Sequence, residues 1–398
     1  MVEDWAHRAD GHFPVRFAEL AAGFAQAGCA VDVLVGRGWA HARDAAPFPF
    51  RLHRYGPFGR WLSGVAERLT LTHGAGRLAA WSPALGSTLR ALVLVRAARA
   101  LRLRAPGAAA DVIVVSYGLD PVRMAAIAGP GSWFLYQFEP PPDPPPDPTS
   151  IRSRISSAFA RRAEARRRRA DGCACIVAPT EEWANAWAAR APFLRTSTTP
   201  IAGARTCAPI PDARARLGLT SDDRLALVFG STHAMKDYDV VWRAFAALSA
   251  WRLLIVGRIA DAYATALPLP SPKREPVVIG GDVENATRDL VHAAADLIVL
   301  SFRPDHSRES GVIMDAIAWG VPVVCSARSV AADIVTAYGL GVLFEPGDAA
   351  SLIRAVSSAP ARIRPEDLDR VRRDYSNAAV AQRIIGVLHP TEDPARGG

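Results

Sequence analysis

Asp315 is the one charged residue in a short apolar stretch, Ser310 to Gly320, where Val312, Ile313, Ala316, Ile317 and Trp319 are all suited to burial. A carboxylate in such surroundings costs free energy unless something hydrogen-bonds it. Two kinds of partner satisfy it: an arginine or backbone amide of the protein, or two hydroxyls of a ligand. The residues before it bear on the choice. An apolar strand, Asp296 to Leu300, runs into a polar loop, and the loop opens a helix at about Ser310. The first amides of that helix, Ser310, Gly311, Val312 and Ile313, have no partner within the helix, and the positive end of its dipole lies with them. An anion bound there would sit one turn from Asp315. Gly320 supplies a left-handed cap, Pro322 blocks continuation, and a second buried strand, VPVVCS, follows.

The run Asp315-Ala-Ile-Ala-Trp-Gly-Val-Pro-Val resembles the C-terminal signature of retaining nucleotide-sugar glycosyltransferases of GT-B fold, family 4 and its relatives (glycosyl transferases group 1). That signature has two acids, the second followed by Ala-x-Ala-x-Gly-x-Pro-Val. The resemblance places the ribose-binding acid at Asp315, with Asp for the usual Glu. The first acid falls on position 307, which is Ser307, and Glu309, two positions out of register, is the candidate to stand in for it at the sugar. Gly341-Val-Leu-Phe-Glu-Pro-Gly-Asp348 is similar to the same family.

Gly230-Ser-Thr-His-Ala-Met-Lys236-Asp237 follows a strand and opens a helix, and it resembles the family's Gly-Arg-x-x-x-x-Lys-Gly loop, whose two cations neutralise the nucleotide diphosphate. Lys236 takes the lysine position. Ser231 stands where arginine is expected, so the second positive group that a departing diphosphate needs has to come from elsewhere if the chain is active, with His233, Arg258 and Arg308 as the candidates. Gly280 and Gly281 match the region that holds the base. The resemblance thus assigns Lys236 and Glu309 to catalysis. It gives Gly230, His233, Lys236, Arg258, Gly281, Ser310, Gly311, Val312 and Asp315 to the donor. Gly11, His12 and Glu139 face the acceptor. Asp237-Tyr-Asp239 has metal-site spacing, but its carboxylates lie in a helix's first turn, where the dipole favours them anyway. No metal or cofactor is expected.

The elements that must carry these residues alternate. Helix Pro14 to Gly28, strand Ala30 to Val35, strand Asp111 to Tyr117, helix Pro121 to Ile127 and strand Trp133 to Gln137 precede a polyproline loop. An Arg-rich helix, strand Cys173 to Ala178 and a Thr180-capped helix follow, then a Pro/Gly-rich connector, Thr198 to Pro211. Beyond it, buried strands and helices repeat regularly. The pattern predicts an α/β protein with two Rossmann-like, doubly wound parallel-sheet domains. With GT-B as the template, they face a cleft. Residues 1–196 form the acceptor domain and 197–364 the nucleotide-sugar domain. A helix over 365–388 crosses back to the first, and 389–398 is a disordered tail. Residues 1 to 5 hold at most a fragment of the first strand.

At 398 residues, half of them hydrophobic and 22% charged, the chain is long enough for two packed domains. Its net charge of +8 suits an anionic partner, and Arg161 to Arg169 concentrates much of it. No aromatic-interleaved basic surface accompanies that run, which excludes nucleic acid. Five cysteines without metal-ligand spacing fit a reducing compartment. The expected location is cytoplasmic, with peripheral contact to an anionic membrane at its inner face compatible with the basic helices. The expected activity is metal-independent transfer of a sugar, with retention, from a nucleotide-diphosphate sugar to an acceptor hydroxyl on a saccharide, lipid-linked or small molecule. Two other readings stay open at this stage: a GT-B-like binding or scaffold protein without turnover, and a sugar-nucleotide epimerase.

Overall fold

The computed structural model describes residues 2–3, 13–35, 51–54, 91–96, 112–115, 120–127, 133–136, 151–167, 174–199, 203–220, 222–230, 235–259, 274–281, 283–304 and 310–389, with scattered positions between 62 and 89 and at 141. Gly11, His12, Glu139, His233 and Glu309 lie outside them. The chain divides into two compact units, Met1–Ala202 with Asn377–Gly398, and Gly203–Ser376.

The first unit holds a parallel sheet of seven strands in the order β3-β2-β1-β4-β5-β6-β7. These are β1 (Val2–Glu3), β2 (Asp32–Val35), β3 (Arg51–Arg54), β4 (Val112–Val115), β5 (Trp133–Tyr136), β6 (Ala174–Ala178) and β7 (Arg195–Thr198). The first strand is two residues long, yet it sits inside the sheet, pairing β2 on one side and β4 on the other. Helices α1 (Phe13–Gln26), α2 (Pro121–Ile127), α3 (Ile151–Arg167) and α4 (Glu181–Arg190) connect them. Thr180 caps α4 by accepting from the Trp183 amide, as its position before the apolar run requires.

The second unit has a parallel sheet in the order β10-β9-β8-β11-β12-β13. Its strands are β8 (Arg224–Phe229), β9 (Trp251–Gly257), β10 (Val277–Gly280), β11 (Leu297–Leu300), β12 (Val323–Ser326) and β13 (Gly341–Phe344). Its helices are α5 (Ala213–Arg216), α6 (Tyr238–Ala247), α7 (Asn285–Ala294), α8 (Val312–Trp319), α9 (Val330–Tyr338), α10 (Ala349–Ser358) and α11 (Pro365–Asp374). Both faces of the sheet are covered, which explains why its strands read as continuous apolar runs. Alternate residues serve opposite cores. Leu227 and Phe229 of β8 pack with Ile313, Ile317 and Val371 on one side. Ala226 and Val228 pack with Val240, Phe245 and Leu352 on the other.

Where the sequence pattern suggests one helix over 365–388, the structure has two, α11 and α12 (Asn377–Leu388). The Tyr375 carbonyl explains the break. It accepts from the amides of Gly203 and Ala204, at 3.3 and 3.1 Å, and is lost to any continuing helix. Helix α11 therefore stays with the second unit and α12 belongs to the first, so the change of unit falls after Ser376. Against α1 the fit is close: a Cβ added at Gly23 would lie 2.2 Å from the Asn377 carbonyl oxygen. Among the described residues no helix is long and apolar enough to cross a membrane.

Candidate functional site

In the second sheet the chain leaves β8 towards β9 and later returns to the other side of β8 as β11. Connections from these neighbours diverge, and the crevice at their carboxyl ends is where open α/β sheets bind ligands. Backbone bonds draw the two exits together. Lys236 and Phe302 form an antiparallel bridge, the Arg303 amide donates to the Met235 carbonyl at 2.9 Å, and the Asp237 amide to that of Ser301 at 3.2 Å. Ser301 Oγ donates to the Asp237 carbonyl at 3.0 Å, and Ser326 Oγ accepts from the Phe302 amide at 2.8 Å.

This stitching holds Lys236 in the crevice. Its ammonium donates to the Phe229 carbonyl at 2.7 Å, and it lines one pocket with Phe229, Asp237, Ser301 and Ser310. Among the described residues no carboxylate pairs with it. Burial pulls its pKa down to about 8. Asp237 is engaged elsewhere: it caps α6, accepting from the Val240 amide at 3.2 Å.

Two glycines make room for the lysine. Gly230 has φ +102° and faces Lys236 Nζ, which would stand 3.0 Å from an added Cβ. Behind it, Gly257 has φ +134°, and a Cβ there would lie 2.6 Å from the Gly230 carbonyl carbon. Gly257→Ala is therefore expected to lower the melting midpoint and, by displacing the turn that carries Lys236, to weaken anion binding. Unchanged values of both in the purified variant would remove Gly257 from the support of the site.

Asp315 is 3% exposed and held by a partner on α7. Arg288 donates side-on to both oxygens, through Nε to Oδ2 at 3.2 Å and through Nη2 to Oδ1. Of the two ways to satisfy this carboxylate, the arginine pair is the one the fold contains. His292 lies beside it, fully buried, with Nε2 3.8 Å from Asp315 Oδ2. Its Nδ1 is 2.7 Å from the Arg288 carbonyl, which can only accept, so Nδ1 carries the hydrogen. Burial lowers the pKa of the ring, and among the described residues Nε2 has no hydrogen-bond partner. The ring packs on Phe229 with centroids 4.7 Å apart. Phe229 thus touches both halves of the site, Lys236 through its carbonyl and the Asp315 cluster through its ring.

Other candidates fall along the same carboxyl edge. Gly311 starts α8, and Ser310 lines the Lys236 pocket. The amides of Ile313 and Met314 donate to the carbonyls of Ser310 and Gly311, at 3.2 and 3.1 Å, so the Ile313 amide is used within the turn. Gly281 follows β10 with φ +94°, and a Cβ there would meet nothing within 4 Å. Arg258 follows β9 and is exposed. Arg288 and His292 were not singled out from the sequence, although their four-residue spacing just after Gly281 puts both on one face of α7.

The parallel, doubly wound unit thus brings an ammonium and a helix start together at its switch point. Residues 223–359 match the family model described as Glycosyl transferases group 1. Over that segment the chain is similar to the group 1 glycosyltransferases. No curated protein matches the sequence. Among solved structures, the sucrose-phosphate synthase of Thermosynechococcus elongatus is 18% identical, with 98% of each chain covered and a TM-score of 0.64. Anabaena HepE in complex with UDP is 14% identical, covering 98% of this chain and 99% of its own, at 0.61. WaaG, a glycosyltransferase involved in lipopolysaccharide biosynthesis, is 15% identical over 98% and 99%, at 0.57. At such identities the likeness carries the fold alone, and that fold is GT-B.

Proposed function

We propose that the chain transfers a sugar, with retention and without a metal, from a nucleotide-diphosphate sugar to an acceptor hydroxyl. The observation that carries this reading is the Lys236 ammonium, which lines the switch-point pocket with Ser310 and has no carboxylate counter-charge among the described residues. A preorganised cation in a part-desolvated crevice stabilises charge that develops on a leaving diphosphate. The amides at Ser310, Gly311 and Val312 add to it through the helix dipole. Engagement of Asp237 as a helix cap supports diphosphate neutralisation by protein cations rather than by a metal held at that position. The leaving diphosphate oxygen, once freed, helps remove the acceptor proton. Because HepE is described with UDP, a uridine nucleotide is the first donor to try.

Thermal melting with UDP-, GDP- and ADP-sugars tests this. Ligand at a hundredfold excess over Kd adds about 2.7 kcal/mol to the native state, or roughly 5–10 °C for a unit of this size. A flat midpoint with all three overturns the reading.

A further inference from the structure

The buried pair leaves one edge of a guanidinium unassigned. Arg288 meets Asp315 through Nε and Nη2, and among the described residues Nη1 has no partner. Its side chain is 13% exposed against 4% for the Asp315 side chain, so the carboxylate is the inner member and the guanidinium the outer one. Helix α7 begins just after β10 and Gly281, which puts its first turn at the carboxyl edge of the sheet. Arg288 stands in that turn, on the edge where Lys236 and Ser310 open. One turn deeper, His292 packs on Phe229, the residue whose carbonyl receives Lys236. The neutral ring presents an unprotonated Nε2 to Asp315 and gives it no positive charge, whereas Arg288 pairs with the carboxylate directly.

We propose that Arg288 is the second cation of the donor site, binding the nucleotide diphosphate through its outer N–H groups together with Lys236, while Asp315 is the positioning residue that fixes it. This rests on the donor-site reading above. A guanidinium gripped side-on by a carboxylate is planar and held in one orientation, with its remaining donors aimed away from the grip. The assignment also accounts for Ser231: the cation missing from the turn after β8 is delivered from α7 instead. It changes what the helix start recognises, too. A free carboxylate takes hydrogens from hydroxyls, whereas this arginine offers hydrogens to anionic oxygen.

The test compares each nucleoside diphosphate (UDP, GDP, ADP) with its nucleoside, by calorimetry on the full chain at fixed ionic strength. For the diphosphate that binds wild type, Arg288→Gln is expected to lose at least tenfold in affinity, with the nucleoside changed less than twofold. Arg288→Lys keeps a positive charge beside Asp315, secures the fold and lacks the outer fork, so it is expected to lose at least fivefold on the diphosphate alone. Equal losses for diphosphate and nucleoside mean a purely structural role and overturn the proposal, as does an unchanged diphosphate affinity. A wild-type protein that binds none of the three diphosphates overturns the donor-site reading itself, and this proposal with it.

Discussion

Lys236→Met is expected to bind the nucleoside diphosphate about a hundredfold more weakly at pH 7 and yet to melt no lower than wild type. The binding loss follows from removing a charge-assisted hydrogen bond in a part-desolvated pocket, worth about 1.5–3 kcal/mol. The melting behaviour follows from linkage. Burial lowers the ammonium's pKa from 10.5 to about 8, so the native state holds this proton less tightly than the unfolded chain does. At pH 7 both states are protonated and the whole penalty falls on the native state. It fades as pH rises through 8 towards 10.5. Methionine removes the penalty, and this offsets the lost bond to the Phe229 carbonyl, worth about 1 kcal/mol. The same pKa sets a pH profile for binding. Above about 8, affinity in the wild type should fall towards tenfold per pH unit as the free ammonium loses its proton, while the methionine variant stays level. Calorimetry from pH 7.5 to 9.5 reads both slopes, and a level wild-type profile would remove Lys236 from the diphosphate.

The second unit was the more legible because its signals are local. Continuous apolar runs such as that of β8 mark strands buried on both faces. Gly320 ends α8 in the left-handed region at φ +67°, as its place before Pro322 implied. From the sequence Asp237 falls in the first turn of its helix, and the structure puts it one position earlier, as the cap. Tyr375 was not readable in this way. Nothing in residues 365–388 announces that its carbonyl is taken by Gly203 and Ala204, because those amides come from the far side of the unit in sequence. The site divided along the same line. That Asp315 would be buried and need a partner followed from its neighbours alone. That the partner is Arg288 required α7 and α8 to be packed side by side, and an isolated arginine in an amphipathic helix reads as surface until they are.

Asp315→Ala should be the most damaging single change in the second unit, costing about 3–5 kcal/mol of stability and on the order of 10 °C in melting midpoint. It strands the Arg288 guanidinium, 13% exposed, with no counter-charge, beside a buried His292 that is itself disfavoured as a cation. The penalty belongs to the stranded charge and not to the pair, so removing both members should largely reverse it. Arg288→Met with Asp315→Leu replaces two buried ions by apolar groups of similar length, a change that is commonly neutral or stabilising. The double variant is therefore expected to melt within a few degrees of wild type, giving a coupling energy of several kcal/mol in the mutant cycle. Two single variants whose losses simply add would show that the pair is not an energetic unit. The recovered double variant then separates stability from binding. It folds, but it has lost both the outer guanidinium and the carboxylate that fixed it, and its affinity for the diphosphate should remain as low as that of Arg288→Gln.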